Sequence, residues 1–108
     1  MATTTDAVLI YTTWPDSSVA ESFGQKMVTE RLVACINIIP GMISIYEWQG
    51  RMERSQEVIA ILKTSKNRIE ELKEKFKAEH PYDCPCFLAL PIEDGLPDFL
   101  SWIDSQSR

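Results

Sequence analysis

The alternation of apolar and polar residues is most regular between residues 34 and 64, where it predicts two long strands joined by a tight turn. Residues 43–48 alternate with the period of two that is typical of a strand. Gln49 and Gly50 suit a two-residue hairpin turn, because glycine adopts positive φ at little cost. The returning segment starts polar and becomes a continuous apolar run at 58–62, which is typical of a strand covered on both faces.

The length of this hairpin predicts that it extends beyond the rest of the domain. The returning strand, 52–63, would be roughly 40 Å long at ~3.3 Å per residue. A compact chain of this size has a radius of gyration of about 13 Å, which corresponds to a diameter of roughly 33 Å. The hairpin tip carries Tyr46, Trp48 and Met52. Because exposed strand edges and aromatic side chains favour pairing with another chain, we expect an oligomer built on this hairpin.

The pattern before the hairpin predicts a strand, a helix and a second strand. A short apolar and β-branched run at 7–13 predicts an interior strand. Either Asp16 or Ser18, the latter with Glu21 as a capping box, can begin the helix that follows. That helix places these apolar residues at helical spacing: Val19, Ala20, Phe23, Met27, Val28 and Leu32. The second strand is predicted at 32–39.

The pattern after the hairpin predicts a helix, a strand and a last helix. Ser65 can cap a helix over 66–79, and a strand is predicted at 87–92. Earlier in the chain, Pro40 must bend or interrupt the second strand, because proline cannot donate to a strand ladder. A short helix at 97–105 is predicted to bury Phe99, Leu100, Trp102 and Ile103.

This order of elements predicts the fold class. β-α-β-β-α-β followed by a C-terminal helix is the ferredoxin-like pattern of an α+β protein, with helices on one face of an antiparallel sheet. We expect residues 1–6 to be frayed and 7–108 to form a single domain. Many unrelated functions use this fold, so the fold alone predicts no chemistry.

Charge and composition exclude several classes of partner. The net charge is −5 with a pI near 4.8, whereas nucleic acids and anionic membranes are bound by basic surfaces. The N-terminal residues carry neither the basic nor the apolar region of a signal peptide, and no apolar run reaches the length of a membrane span. The cysteine count of 3 is odd and favours reduced thiols. We expect a cytoplasmic protein that binds neither nucleic acid nor membrane.

Several short segments together resemble the CutA family of divalent-cation tolerance proteins over residues 7–104. They are LVACIN at 32–37, PG at 40–41, SIYEWQG at 44–50, Glu57, LKT at 62–64, HPY at 80–82 and WI at 102–103. The resemblance implies a ferredoxin-like homotrimer in which long strands pair between subunits. It also implies an association with copper and other divalent ions, and the PII-like architecture of signalling trimers that bind small effectors in clefts between subunits.

The chain departs from the family pattern at positions where the resemblance places metal. After His-Pro-Tyr the family usually has Pro-Glu, and this sequence has Pro85-Cys86. Some members carry a copper-ligand cysteine near the end of the first strand and a second histidine before His-Pro-Tyr. Thr12 and Glu79 occupy these positions here. Of that ligand set, only His80 is present.

The candidate metal ligands of this chain are His80, Cys84 and Cys86, its only concentration of soft donors. In an extended segment the Cα atoms of residues 84 and 86 lie roughly 6.6 Å apart. Two thiolates on one zinc ion need sulfur atoms closer than about 4.6 Å, so joint chelation requires inward rotamers or a kink at Pro85. The alternative is that both cysteines pack as small hydrophobic residues where a strand begins.

A second group of candidates is suited to a small-molecule effector. Lys63 closes an apolar strand, where an ammonium group needs water, a carboxylate or an anionic ligand. Glu57 begins the same strand and shares its face by parity. Tyr82 and Trp102 could supply aromatic walls for a ligand cleft, whereas Tyr46, Trp48, Tyr82 and Trp102 could equally be interface packing. Lys63 could also extend its charge to solvent.

No residue pattern indicates catalysis. Cys35 lies within an apolar strand and is predicted to be a core thiol. A Cys–His pair with His80 lacks an orienting third group, and the chain has no glycine-rich phosphate loop. The sequence therefore predicts a trimeric CutA-like protein, not an enzyme, that binds and responds to copper or another divalent cation not required for folding. The alternative is a PII-like trimer that binds a small anionic effector.

Overall fold

Four strands and three α-helices follow one another in the predicted order within residues 5–108, which the computed structural model describes. They are β1 (Ala7–Trp14), α1 (Ser17–Thr29), β2 (Cys35–Trp48), β3 (Arg51–Ser65), α2 (Ile69–Glu79), β4 (Phe87–Pro91) and α3 (Pro97–Gln106), with a 3-10 turn at Lys66–Arg68 before α2. None of these described helices is long and apolar enough to cross a membrane.

The strands form one sheet in the order β2-β3-β1-β4. Every neighbouring pair is antiparallel, and β1 pairs with β3 from Ala7 opposite Ser65 to Trp14 opposite Val58. Pro91 lies in β4, an edge strand, which is where proline is tolerated in a sheet. The ferredoxin-like α+β prediction is confirmed.

The β2–β3 hairpin extends beyond the rest of the sheet, as its length predicts. Its turn is the predicted two-residue loop, and both Gln49 (φ 52°) and Gly50 (φ 79°) are left-handed, as a type I′ turn requires. Residues 51–57 of β3 pair with β2 but lie past the end of β1. The long axis of the molecule is accordingly 45 Å against 23 Å for the short axis.

A register shift divides β2 into two halves. Before the shift its odd-numbered residues point to a given face of the sheet, and after the shift its even-numbered residues do. Ile39 pairs with Ile59 and the next paired residue, Met42, faces Glu57, so the pairing slips at Pro40 and Gly41. Gly41 has φ 80°, which a β-bulge of this kind accommodates with glycine. The proline therefore bends the strand without ending it. Beyond the bulge, the even-numbered residues of β2 share a face with the odd-numbered residues of β3.

The main core lies between one face of the sheet and helices α1 and α2. It is centred on Trp14, whose ring packs against Phe23 (centroids 5.1 Å apart) and Phe76 (5.4 Å). A smaller core lies on the other face, where Leu100 and Ile103 of α3 pack with residues including Ala7 and Ala34. Helix α3 covers only one end of this second face, which we call the open face. Its apolar residues include Leu9, Tyr11, Ile39, Ile59, Ile61, Leu88 and Leu90.

Some details of the helices differ from the sequence-based expectation. The Asp16 carboxylate caps α1 by accepting from the Val19 N–H at 3.0 Å, and Ser18 donates to Asp16 instead of forming the capping box. Val28 is 41% exposed because it lies on the solvent side of α1, away from the core stripe. Phe99 and Trp102 are also exposed, because only the Leu100 and Ile103 side of α3 reaches the sheet.

The boundaries of two elements also differ. Residues 32–34 precede β2, since Leu32 N–H completes the end of α1 by donating to the Met27 carbonyl. Ser65 makes no capping bond, because its hydroxyl pairs with that of Ser107 at 2.7 Å. The expected frayed segment 1–6 lies mostly outside the described residues. At its end, the Asp6 carbonyl accepts from the Lys66 N–H at 2.9 Å.

We expect Thr12→Val to lower the free energy of unfolding by about 1–3 kcal/mol. The buried Thr12 hydroxyl donates to the Ala60 carbonyl at 2.7 Å and accepts from Trp14 Nε1 at 2.8 Å, so valine leaves the indole N–H without an acceptor. Urea denaturation measures the change.

The neighbouring Thr13→Val is the control. Thr13 makes no side-chain hydrogen bond within the described residues, so removing its hydroxyl should change the free energy of unfolding by less than about 0.5 kcal/mol. Trp14→Phe should cost less in the Thr12→Val background than in the parent, because the orphaned N–H is then removed as well. Equal costs in both backgrounds would contradict the role assigned to this hydrogen bond.

Candidate functional site

A cavity of about 690 Å³ opens on the open face, at the base of the overhanging part of the hairpin. It lies where β1 ends and the β2–β3 hairpin continues. Its volume falls within the range of small-molecule sites, roughly 300–1,000 Å³. The residues that line it are Tyr11, Thr13, Ser44, Tyr46, Trp48, Ser55, Glu57, Pro81, Tyr82, Asp83, Cys84 and Cys86.

Glu57 is the buried charged group of this cavity. The residue is only 7% exposed, and its Oε2 accepts a hydrogen bond from the Tyr82 hydroxyl at 2.8 Å. Burial, followed by the hydrogen bond and the charge of Glu57, raises the pKa of Tyr82 well above its ordinary value. The phenol therefore stays protonated and remains a donor to the carboxylate throughout the physiological range.

His80 holds the segment that carries the cavity residues against the core. Its ring lies 4.4 Å from Trp14 and 4.9 Å from Phe76 between centroids. Nδ1 accepts from the Tyr82 N–H at 3.2 Å, so the ring proton is on Nε2, which donates to the Thr13 carbonyl at 2.8 Å. Both ring nitrogens are thus used in hydrogen bonds within the chain.

The segment 80–86 passes around the end of β1 and brings both cysteines to the open face. His80 packs on the helix side with Trp14, whereas Cys84 and Cys86 line the cavity on the opposite side. Cys84 is exposed and Cys86 is half-buried. Burial and, second, the charge of Glu57 raise the pKa of the Cys86 thiol.

The predicted metal ligands are therefore not gathered into one group. Across residues 5–108, no cluster of three or more His, Cys, Asp or Glu side chains is placed to hold a metal ion. His80 also has no lone pair free in this arrangement, because Nδ1 and Nε2 are both bonded. The thiols of Cys84 and Cys86 remain the soft donors that face the cavity.

Lys63 and Trp102 form a separate group at the other end of the open face. The Lys63 ammonium lies 5.2 Å from the Phe99 ring centroid, and Phe99 packs against Trp102 at 5.5 Å. Glu57 is six residues from Lys63 along β3, a separation of roughly 20 Å. Within one chain, the four residues expected to bind an effector are thus divided into Glu57 with Tyr82 and Lys63 with Trp102.

Cys35 is not the core thiol that the sequence predicts. It pairs with Lys63 across the β2–β3 ladder and is only partly buried, because its side chain points to the open face. Burial raises the pKa of the Cys35 thiol, and the nearby charge of Lys63 opposes this effect.

Comparisons with known proteins now identify the family. A family model described as CutA1 divalent ion tolerance protein matches residues 8–106. The divalent-cation tolerance protein CutA of Thermus thermophilus is 44% identical over 98 residues, which cover 91% of this chain and 93% of that protein. The chain belongs to the CutA family. A chloroplastic CutA of Arabidopsis thaliana is 36% identical over 97% of this chain and 58% of that protein.

The fold agrees with this assignment to the CutA family. The crystal structure of CutA from Xylella fastidiosa superimposes with a TM-score of 0.92 at 36% identity. The match covers 96% of this chain and 100% of that chain. The agreement extends over the long hairpin as well as the helices, since almost the whole of both chains is included.

Thr12 and Glu79, which stand where the resemblance led us to expect metal ligands, have structural roles here. Thr12 is buried on the helix side and links Trp14 to the Ala60 carbonyl. Glu79 forms an ion pair with Lys26 at 2.8 Å. Neither residue lines the cavity, whose carboxylate and thiol side chains are instead Glu57, Asp83, Cys84 and Cys86.

Sequence reasoning missed the polar lining of the cavity. Thr13, Ser44 and Ser55 bring hydroxyl groups to it from three different strands. Strand parity alone could have placed Ser55 with Glu57, because they are two residues apart. Ser44 could not be placed this way, since the bulge at residues 40–41 changes which face of β2 it occupies.

Proposed function

We propose that this CutA-family chain acts in the cytoplasm as a homotrimer that binds a soft metal cation, such as copper, and responds to it without catalysing a reaction. The main support is that the thiols of Cys84 and Cys86 line the same cavity as the buried carboxylate of Glu57. Thiolates select soft ions, and a nearby carboxylate favours positive charge. The three free cysteines support a reducing compartment.

The metal affinity we expect from these donors is modest. Two thiols leave a tetrahedral ion with further positions, which water or a neighbouring subunit would fill. His80 would have to give up the Thr13 carbonyl to join them. The proposal therefore assigns metal contact to the cysteines and assigns His80 the role of holding the segment that carries them.

The uncovered apolar residues of the open face support assembly. Ile39, Leu88 and Leu90 are exposed on this face and do not line the cavity, and an apolar surface of this kind favours a protein interface. β2 is also an edge strand of 14 residues, which leaves a row of backbone groups available for pairing. The number of three subunits follows from the resemblance to CutA.

A small anionic effector at the other end of the open face is a second candidate function. Lys63 makes no ion pair with a described carboxylate, and Phe99 and Trp102 beside it are half-exposed. A fixed ammonium next to aromatic rings can bind a carboxylate or phosphate with apolar contact.

We expect Leu90→Arg to shift the oligomer toward monomers, because it places an unpaired charge in the proposed interface. Light scattering at micromolar concentration measures the assembly. Val28→Arg is the matched control, since Val28 is 41% exposed and Leu90 is 46% exposed, but Val28 lies on α1 away from the open face. A parent protein that is monomeric, or equal dissociation in both variants, would contradict the proposal.

We expect Cys86→Ser to weaken the binding of Zn²⁺ or Cu⁺ roughly tenfold or more, and thiol alkylation to abolish it. Cys35→Ser is the control, because Cys35 faces the same side of the sheet but does not line the cavity. Isothermal titration of the reduced protein provides the affinities. If His80→Gln alone removed binding in a folded protein, His80 would belong to the ligand set after all.

Metal affinity should also increase with pH. The pKa of Cys86 is raised by burial and Glu57, so the thiol is protonated near neutrality and must lose its proton to bind. Affinity should rise about tenfold per pH unit for each thiol that ionises, until the raised pKa is reached. A flat profile between neutral and mildly alkaline pH would show that the thiols are not ligands.

We expect Lys63→Met to leave the fold intact and to remove any binding of citrate. Methionine keeps much of the aliphatic stem and removes the charge. Lys77→Met is the control, because Lys77 is exposed on α2 and makes no ion pair with the described residues. Titration calorimetry measures the citrate affinity. The same affinity for Lys63→Met and the parent would show that Lys63 does not bind the anion and only extends its charge to solvent.

A further inference from the structure

The second carboxylate oxygen of Glu57 has no partner. Tyr82 occupies Oε2, whereas Oε1 has no hydrogen bond within residues 5–108. The residue as a whole is more than nine-tenths buried, but among the described residues Oε1 is not one of the fully enclosed polar atoms that lack a partner, so it remains accessible to a donor. Since Glu57 lines the cavity, a donor placed there could reach this oxygen.

The cavity around Glu57 has a uniform electrostatic character. Its charged lining residues are Glu57 and Asp83, and no Lys, Arg or His belongs to its described lining. A negative charge in a partly enclosed site attracts cations and repels anions. The anionic effector considered for Lys63 is therefore excluded from this end of the open face.

The walls of the cavity are aromatic. Tyr11, Tyr46, Trp48 and Tyr82 all line it. Aromatic faces attract organic cations, whereas a small hydrated metal ion gains little from apolar walls. Because Tyr46 and Trp48 are half-exposed, their rings are accessible to a ligand.

The hydroxyl groups add acceptors near the carboxylate. Ser44 Oγ donates to Met42 Sδ at 3.1 Å, so its oxygen lone pairs are free to accept. Ser55 and Thr13 supply further hydroxyl oxygens. A carboxylate oxygen with several hydroxyls suits a cation that carries N–H donors, in contrast to a quaternary ammonium, which has none.

We propose that this cavity binds a small organic cation with a primary ammonium or guanidinium head, which donates to Glu57 Oε1 while its carbon chain lies between Tyr46, Trp48 and Tyr82. The Tyr82 hydroxyl keeps the carboxylate in place by its bond to Oε2. A volume of about 690 Å³ accommodates a head group with several carbon atoms. The site thus recognises amines, and the thiols at its edge are not needed for this.

The test uses the full-length oligomer and the probes n-butylammonium and n-butylguanidinium, with n-butanol as the uncharged probe. Ligand-observed NMR and calorimetry measure the affinities. We expect binding of one or both cations and none of butanol. Glu57→Gln should lower cation affinity at least tenfold, and its amide oxygen can still accept from Tyr82, so the fold should remain.

Glu53→Gln is the matched control, because Glu53 also lies on the open-face side of β3 but outside the cavity lining. It changes the net charge equally and should leave cation affinity unchanged. Cys84→Ser with Cys86→Ser should also leave it unchanged while reducing metal binding, which separates this inference from the proposed metal function.

Three outcomes would overturn the inference. The first is no binding of either cation at millimolar concentration by a folded protein, and the second is equal binding of butanol. The third is an equal loss in Glu53→Gln and Glu57→Gln, which would indicate only a general effect of net charge.

Discussion

Residues 58–62 of strand β3 are apolar on both faces, but helices cover one of these faces fully and the other only at one end. Val58, Ala60 and Leu62 are buried under α1 and α2, whereas Ile59 and Ile61 point to the open face. Burying apolar surface contributes about 25 cal/mol per Å², so such a face is stabilised by whatever covers it. Helix α3 covers one end. The rest is available to another subunit or to a ligand, and both proposed functions depend on this.

The segment 80–82 fixes one wall of the cavity against the aromatic core. His80 packs on Trp14 and Phe76, and two residues later the Tyr82 hydroxyl binds Glu57. The His80 ring and its two hydrogen bonds therefore link the cavity residues to the aromatic core around Trp14. Binding groups held in this way need little reordering when a ligand arrives.

The two ends of the open face have opposite chemistry. Glu57 makes one end acidic, and Lys63 makes the other basic, roughly 20 Å apart along the same strand. Each charge lies next to aromatic rings, Tyr82 in the first case and Phe99 in the second. The two ends thus match the two ligand classes proposed, cations near Glu57 and anions near Lys63.

Local sequence was enough to predict the order of elements, the Gln49-Gly50 turn and the overhang of the hairpin, and it narrowed the cap of α1 to Asp16 or Ser18. Each of these depends on local periodicity, on backbone preferences or on the number of residues in a strand. The family resemblance was also available from sequence, because it lies in the order of short segments. Glu57 and Lys63 were correctly placed on one face by parity alone.

Which side of the sheet each candidate residue occupies depends on contacts between segments that are distant in sequence. The bulge at residues 40–41 puts Tyr46 and Trp48 on the same face as Glu57, and the pairing of Cys35 with Lys63 places that partly buried thiol on the open face. The turn of segment 80–86 around β1 separates His80 from Cys84 and Cys86, although they are neighbours in sequence. Periodicity defines two faces but does not say which will be covered, because that depends on where distant helices pack.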